Sequence, residues 1–150
     1  MALTQNQFAM STLVGTKLSG SNLISAEFYS ATGTDTIVPG EMVILSTTTN
    51  GACIKVAKGA GLTAAYIGVV VTDVVKDSFA VGDKIVVALF SSIVYMTASA
   101  AIATGAVLQY ATATGKVVAN ASVGTNTTVG RALEAASADG DILRVMITCV

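Results

Sequence analysis

Phe79-Ala80-Val81-Gly82-Asp83-Lys84-Ile85-Val86 is the stretch on which the fold turns. Its central glycine tolerates the positive φ of a tight turn, and the following aspartate can accept bonds from backbone N–H groups. The β-branched residues after it favour extended chain. The stretch is therefore a turn that launches a strand. Three further copies stand in the chain: Ile37-Val38-Pro39-Gly40-Glu41-Met42-Val43-Ile44, Ile102-Ala103-Thr104-Gly105-Ala106-Val107-Leu108 and Ser137-Ala138-Asp139-Gly140-Asp141-Ile142-Leu143. Gly40, Gly82, Gly105 and Gly140 are the expected turn-forming residues.

Outward from these cassettes, strand signals recur about every ten residues from Asp35 onward, as in a sandwich or barrel. Strands are expected near Met42–Ser46, Ala52–Ala57, Tyr66–Val71, Lys84–Phe90, Ile93–Thr97, Val107–Tyr110, Lys116–Ala119, Val129–Glu134 and Ile142–Thr148. Asn50-Gly51 and Ala113-Thr114-Gly115-Lys116 read as hairpin turns. Pro39, the single proline, precedes a turn glycine and disturbs no ladder. Ala98 to Ala106 has room for one helical turn at most, so helix is a minor component. In the last strand Ile142, Arg144, Met146 and Thr148 are expected on one face and Leu143, Val145, Ile147 and Val150 near the other, one face core and the other partly covered. An oligomer interface is the expected second cover.

Residues 1–35 read differently. Phe8, Met10, Leu13, Val14, Leu18, Leu23, Ile24, Phe28 and Tyr29 recur among Ser, Thr, Asn, Gln and Gly without a sustained period of two. An extended N-terminal arm over 1–35 and one small β-barrel over 36–150 are the expected organisation. The arm's apolar residues would pack on its own barrel, a neighbouring subunit or another protein.

The chain has 150 residues, 53% hydrophobic and 11% charged, with a formal net charge of −1. A typical soluble domain is about 25% charged, so copies of the chain or a partner are expected to cover part of the exterior. The eight basic residues form no cluster, which argues against direct nucleic-acid binding. The apolar runs are far shorter than the ~20 residues that span a bilayer, and the N-terminus lacks the features of a secretory signal. No membrane association is expected, and synthesis in a cytoplasm is. Cys53 and Cys149 have no close partner in sequence and read as buried free thiols, with a disulfide the alternative.

Chemistry is sparse. The chain has no histidine, and general acid–base work would fall to isolated carboxylates. Gly59-Ala60-Gly61-Leu62-Thr63-Ala64 matches a loose dinucleotide fingerprint, but a strand-like run follows where a helix N-terminus would hold phosphate, so a hairpin is expected. Asp139 with Asp141, and Asp73 with Asp77, lack the ligand count of a calcium loop. Catalytic residues, metal ligands and cofactors are all expected to be none. Tyr29, Tyr66, Tyr95 and Tyr110 read as core or interface filler.

The order Tyr66-Ile67-Gly68-Val69-Val70, Val81-Gly82-Asp83-Lys84-Ile85-Val86-Val87, Thr114-Gly115-Lys116-Val117, Val129-Gly130-Arg131-Ala132 and Asp139-Gly140-Asp141-Ile142-Leu143 resembles the capsid decoration, or head cement, proteins of tailed bacteriophages. The resemblance spans roughly residues 35 to 150. It implies a β-barrel or β-tulip, self-association as a homotrimer, the major capsid protein as partner and a place on the outer surface of the capsid. Phe8, Met10, Leu13, Val14 and Leu18 are then the candidate capsid-binding residues of the arm. Two alternatives stay open: a head-fibre base or host-adhesion module using the loops Ser46–Asn50 and Gly124–Thr128, and a cytoplasmic small-ligand barrel.

Overall fold

The computed structural model describes residues 14–15, 17–19, 22–29, 34–46, 54–71, 76–111 and 113–148. Among them there is no helix, and the strands are β1 (Lys17–Ser19), β2 (Leu23–Phe28), β3 (Thr36–Ile37), β4 (Met42–Leu45), β5 (Lys55–Lys58), β6 (Tyr66–Val70), β7 (Phe79–Ala80), β8 (Lys84–Ala88), β9 (Ile93–Thr97), β10 (Val107–Ala111), β11 (Lys116–Ala119), β12 (Gly130–Ala132) and β13 (Ile142–Ile147). The fold is all-β, as expected.

The glycine cassettes build it by one local rule. Gly40, Gly82, Gly105 and Gly140 have φ between +82° and +91°. In each turn the N–H after the glycine donates to the carbonyl three residues back: Glu41 to Val38, Asp83 to Ala80, Ala106 to Ala103 and Asp141 to Ala138. This is a type II turn, which requires positive φ at its third residue and favours proline, here Pro39, at its second. Each turn then clamps one residue of a neighbouring strand end. The glycine N–H donates to the carbonyl of Val70, Phe28, Ala132 or Ala98, and the N–H of that same residue donates to the carbonyl following the glycine.

The four clamps fall into two pairs because the chain folds as two copies of one barrel. In the first, β2-β5-β4-β6-β8 close completely, β2 lying parallel to β5 and antiparallel to β8. In the second, β9-β13-β12-β10-β11 repeat the same neighbour order, and a parallel bridge from Ala98 to Val117 brings β11 back to β9. The registers coincide. Leu23 faces Ala88 as Ile93 faces Met146, and Glu27 faces Lys84 as Thr97 faces Ile142. The segments before the turns also pair alike: β3 with β7, and Ile102 with Ala136.

Each barrel encloses its own apolar residues. Ala26, Phe28, Ile37, Val43, Val56, Val70, Phe79, Ile85 and Val87 fill the first. The corresponding residues of the second, among them Met96, Ala98, Ile102, Leu108, Val117, Ala132, Leu143 and Val145, form one cluster with Met42, Tyr66, Val69 and Ala88 from the first barrel. Strands β4 and β6 are thus apolar on both faces because one face fills their barrel and the other packs on its sister.

Several expectations change. The single barrel over 36–150 is two barrels, the second over 93–148. The arm cannot extend to residue 35, since β2 is an integral barrel strand whose Ala26 and Phe28 point inward. β1 pairs with β9 and so belongs to the second sheet. For β4 and β6 the second cover is the sister barrel; the last strand, for which an oligomer interface is expected, keeps Ile142 and Met146 half-buried and Arg144 exposed on its second face. The Gly59–Ala64 stretch is a crossing rather than a hairpin, because β5 and β6 flank β4 on opposite sides. The hairpin at Ala113–Lys116 is present between β10 and β11. Asn50-Gly51, Cys53 and Cys149 lie outside the described residues, although β4 and β5 on either side of Asn50-Gly51 do pair antiparallel.

Candidate functional site

The turn acids are committed to structure. Asp83 Oδ2 accepts from the Ala80 N–H at 2.8 Å while Oδ1 pairs with Lys76 at 2.5 Å. These contacts, the Lys76 hydrogen bond foremost, hold the Asp83 carboxyl below the usual range. Asp141 Oδ2 accepts from the Ser137 hydroxyl and from the N–H groups of Ser137 and Ala138, which lowers its pKa likewise. Asp139 pairs with Lys116 at 2.7 Å. The Asp139–Asp141 pair is therefore spent on turn chemistry, and Asp73 lies outside the described residues. Among the described residues no three of His, Cys, Asp and Glu gather as a metal would require.

The densest polar constellation sits where the barrels meet. Glu41 is buried; its Oε2 accepts from the Val38 N–H at 3.0 Å, and its Oε1 pairs with Lys58 at 2.8 Å. Gly115 of the β10–β11 hairpin lies so close that an added β-carbon would stand 3.0 Å from Oε1. Tyr66 and Tyr110 meet edge to face across the junction, their centroids 5.4 Å apart. Burial pushes the Tyr66 phenol up to about 12, and its hydroxyl donates to the Gly61 carbonyl at 2.8 Å. Burial first, then the Glu41 charge, pushes the Tyr110 phenol well above its usual range. Two buried phenols meeting edge to face and a buried carboxylate paired with Lys58 join the two barrels here.

Function must then be sought on the exterior. Of the arm candidates, Phe8, Met10 and Leu13 lie outside the described residues, and Leu18 falls on β1. Val14 is half-buried and touches the first turn, where a β-carbon on Gly40 would strike its side chain. The adjacent Gly15 N–H donates to the Tyr95 carbonyl at 2.8 Å, so this segment straddles both barrels. The Gly59–Ala65 and Asn120–Thr128 loops, equivalent in the two barrels, meet at one end: the Thr127 N–H donates to the Leu62 carbonyl and its hydroxyl to that of Ala64. They carry no charged residue and expose Leu62 and Val123. Of the other Thr-rich loop only Ser46 is described. A third surface, unmarked by the sequence reading, exposes Leu23, Val86 and Phe90. Its signal was available only by aligning the two halves of the chain.

The sequence matches no protein-family model and no curated protein. Among solved structures the chain is similar to the N base of head fiber gp8.5 of bacteriophage phi29. The TM-score is 0.56 at 19% identity, over 84% of this chain and 92% of that one. At that identity the likeness establishes a shared fold. It reaches across both barrels, since 84% coverage cannot be met by either one alone.

Proposed function

We propose that this chain is a non-enzymatic structural protein of a tailed-phage virion, seated as a base module on the outer surface of the head and bound to the major capsid protein. The observation that carries the reading is the near-complete overlap in fold with a head-fibre base. The committed turn acids and closed tyrosine joint agree with it, because they leave the chemistry-bearing side chains engaged in structure. Anchoring is assigned to the leading segment with Phe8, Met10, Leu13 and Val14, and the neutral loop pair at Leu62 and Val123 is the face offered outward.

A second reading, head cement, rests on the order of the glycine cassettes. In that role an oligomer, expected as a trimer, bridges capsid subunits so that modest contacts multiply. One experiment separates the two. Heads lacking the protein are mixed with purified chain, and occupancy and the temperature of DNA release are measured. A fibre base binds and leaves DNA release unchanged; a cement binds and raises it. Absence of binding overturns both. Removal of residues 2–13 is expected to abolish binding while the barrels stay folded.

A further inference from the structure

Val86, Ala88 and Phe90 follow one another at alternate positions leading out of β8, and the register sets Leu23 of β2 beside Ala88. Ala88 is fully buried against the second barrel, whereas Leu23 and Val86 are each 40% exposed and Phe90 is 57% exposed. The apolar seam between the barrels therefore runs on to the open surface without a break. Phe90 is held at the corner of a turn by defined bonds: the Ser92 N–H to the Leu89 carbonyl, the Ser91 N–H to the Ile147 carbonyl, and Asn22 Nδ2 to the carbonyl of Phe90 itself. Ser91 has φ +66°, the only positive value outside glycine among the described residues. Residues with side chains adopt that region rarely.

The second barrel supplies an internal control. Ser25 pairs with Val86 as Tyr95 pairs with Arg144, so Val86 and Arg144 hold one fold position. Arg144 is solvated and pairs with Glu134 at 3.0 Å. The fold accepts a cation at this place, and the first barrel nonetheless presents a bare aliphatic on the sheet face that Ala88 and Leu23 share.

We propose that the Leu23–Val86–Phe90 face is a self-association surface whose occupant is a second copy of this chain. Two observations favour a second copy over an unlike protein. The patch continues a seam that is already a barrel-on-barrel contact, so the surface complementary to it is of a kind this chain carries. Its far end is bounded by Glu27 and Lys84, register partners of opposite sign, and Glu27 also lies 4.0 Å from Lys55. A rim bearing both signs suits a contact between identical copies about a rotation axis. The inference does not depend on a virion role.

The test is the mass of the full-length protein in solution from low to high micromolar concentration, by light scattering and sedimentation velocity. Val86→Arg introduces the residue the second barrel already carries at that position. Phe90→Ser is a second variant in case the first fails to fold, with circular dichroism confirming the fold of each. The wild type is expected to be oligomeric, and both variants to weaken association about tenfold or more, the loss expected at an interface centre. Val123→Ser, on the Asn120–Thr128 loop and outside the proposed face, is expected to change nothing. A monomeric wild type, or an oligomer unaltered in a folded Val86→Arg or Phe90→Ser protein, overturns the proposal. A monomer that still binds heads would leave the virion reading standing while this one falls.

Discussion

Gly68 and Gly130 occupy the same place in the two barrels, on the strand that runs against the barrel's last one. A β-carbon on Gly68 would strike the Ala88 carbonyl and the Val87 side chain; one on Gly130 would strike the Met146 carbonyl and the Val145 side chain. Neither has positive φ, so the need is for space, and backbone atoms cannot yield as a flexible side chain can. At Gly82, Gly105 and Gly140 the reverse holds: positive φ with open space around the missing β-carbon. Gly68→Ala and Gly130→Ala are expected to lower stability by about 3 kcal/mol, at the upper end of overpacking. Gly105→Ala should cost only about 1–2 kcal/mol for its left-handed backbone. Urea unfolding of the three variants orders them, and equal losses would mean that space does not govern Gly68. The turn aspartates give a second prediction at this scale. The folded pKa values of Asp83 and Asp141 lie below the ordinary 3.8. Their contribution is therefore present above about pH 4 and lost as pH falls through the lowered values. Urea midpoints measured downward from pH 6 should fall below pH 4, and the fall should be smaller in the Asp83→Asn, Asp141→Asn double variant.

At the scale of elements, the repeated turn explains what the sequence could reveal. Every strand expected from Met42 onward is present, and Ile93–Thr97 and Lys116–Ala119 begin and end where they were read. The turn glycine and the alternation after it are local signals, which is why they are legible. β3 and β7 have two residues each and are strands only because they pair with one another. β2 was missed because no glycine-acid turn announces it and its partners, β5 and β8, lie far along the chain. The duplication escaped for a related reason. The spacing between equivalent residues shrinks from 70 (Phe28 to Ala98) to 58 (Gly82 to Gly140), so no fixed period exists to find. Lys55-Val56 against Lys116-Val117, and Ile67-Gly68 against Val129-Gly130, are the traces left in sequence. The Leu23–Val86–Phe90 face depends on β2–β8 register, so its trace in sequence is only Val86 standing where the other half of the chain has Arg144. Glu41 is the element-scale prediction: it closes the first turn, pairs with Lys58 and abuts the second barrel's hairpin. Glu41→Ala should cost about 1.5–3 kcal/mol, the range for a hydrogen bond to a charged group, here that from the Val38 N–H. A loss no larger than that of Asp83→Ala, in a turn remote in sequence from the junction, would show the junction indifferent to it.

The whole molecule is held as one body by the way its barrels are joined. The first barrel is filled by its own side chains, whereas the cluster that fills the second also includes Met42, Tyr66, Val69 and Ala88 from the outer face of the first. Leu45 and Tyr110 hold equivalent positions on β4 and β10, yet Leu45 is 56% exposed and Tyr110 only 1%, because Tyr66 and its neighbours cover that end of the second barrel. The second barrel thus lacks a complete core without the first, and the two should unfold together. Calorimetry of the intact chain is expected to give one transition whose calorimetric and van't Hoff enthalpies agree. Tyr66→Ala removes the cover and should cost about 3–5 kcal/mol, as large aromatic truncations in cores do. Its loss should fall first on the second barrel, so that amides of β10 and β13 exchange before those of β4 and β6. Tyr110→Phe should be nearly neutral, since the buried hydroxyl makes no hydrogen bond of good geometry among the described residues and only approaches the Met42 backbone. Two resolved transitions in the wild type would mean that each barrel is sufficient alone, and the shared cluster would then be contact without coupling.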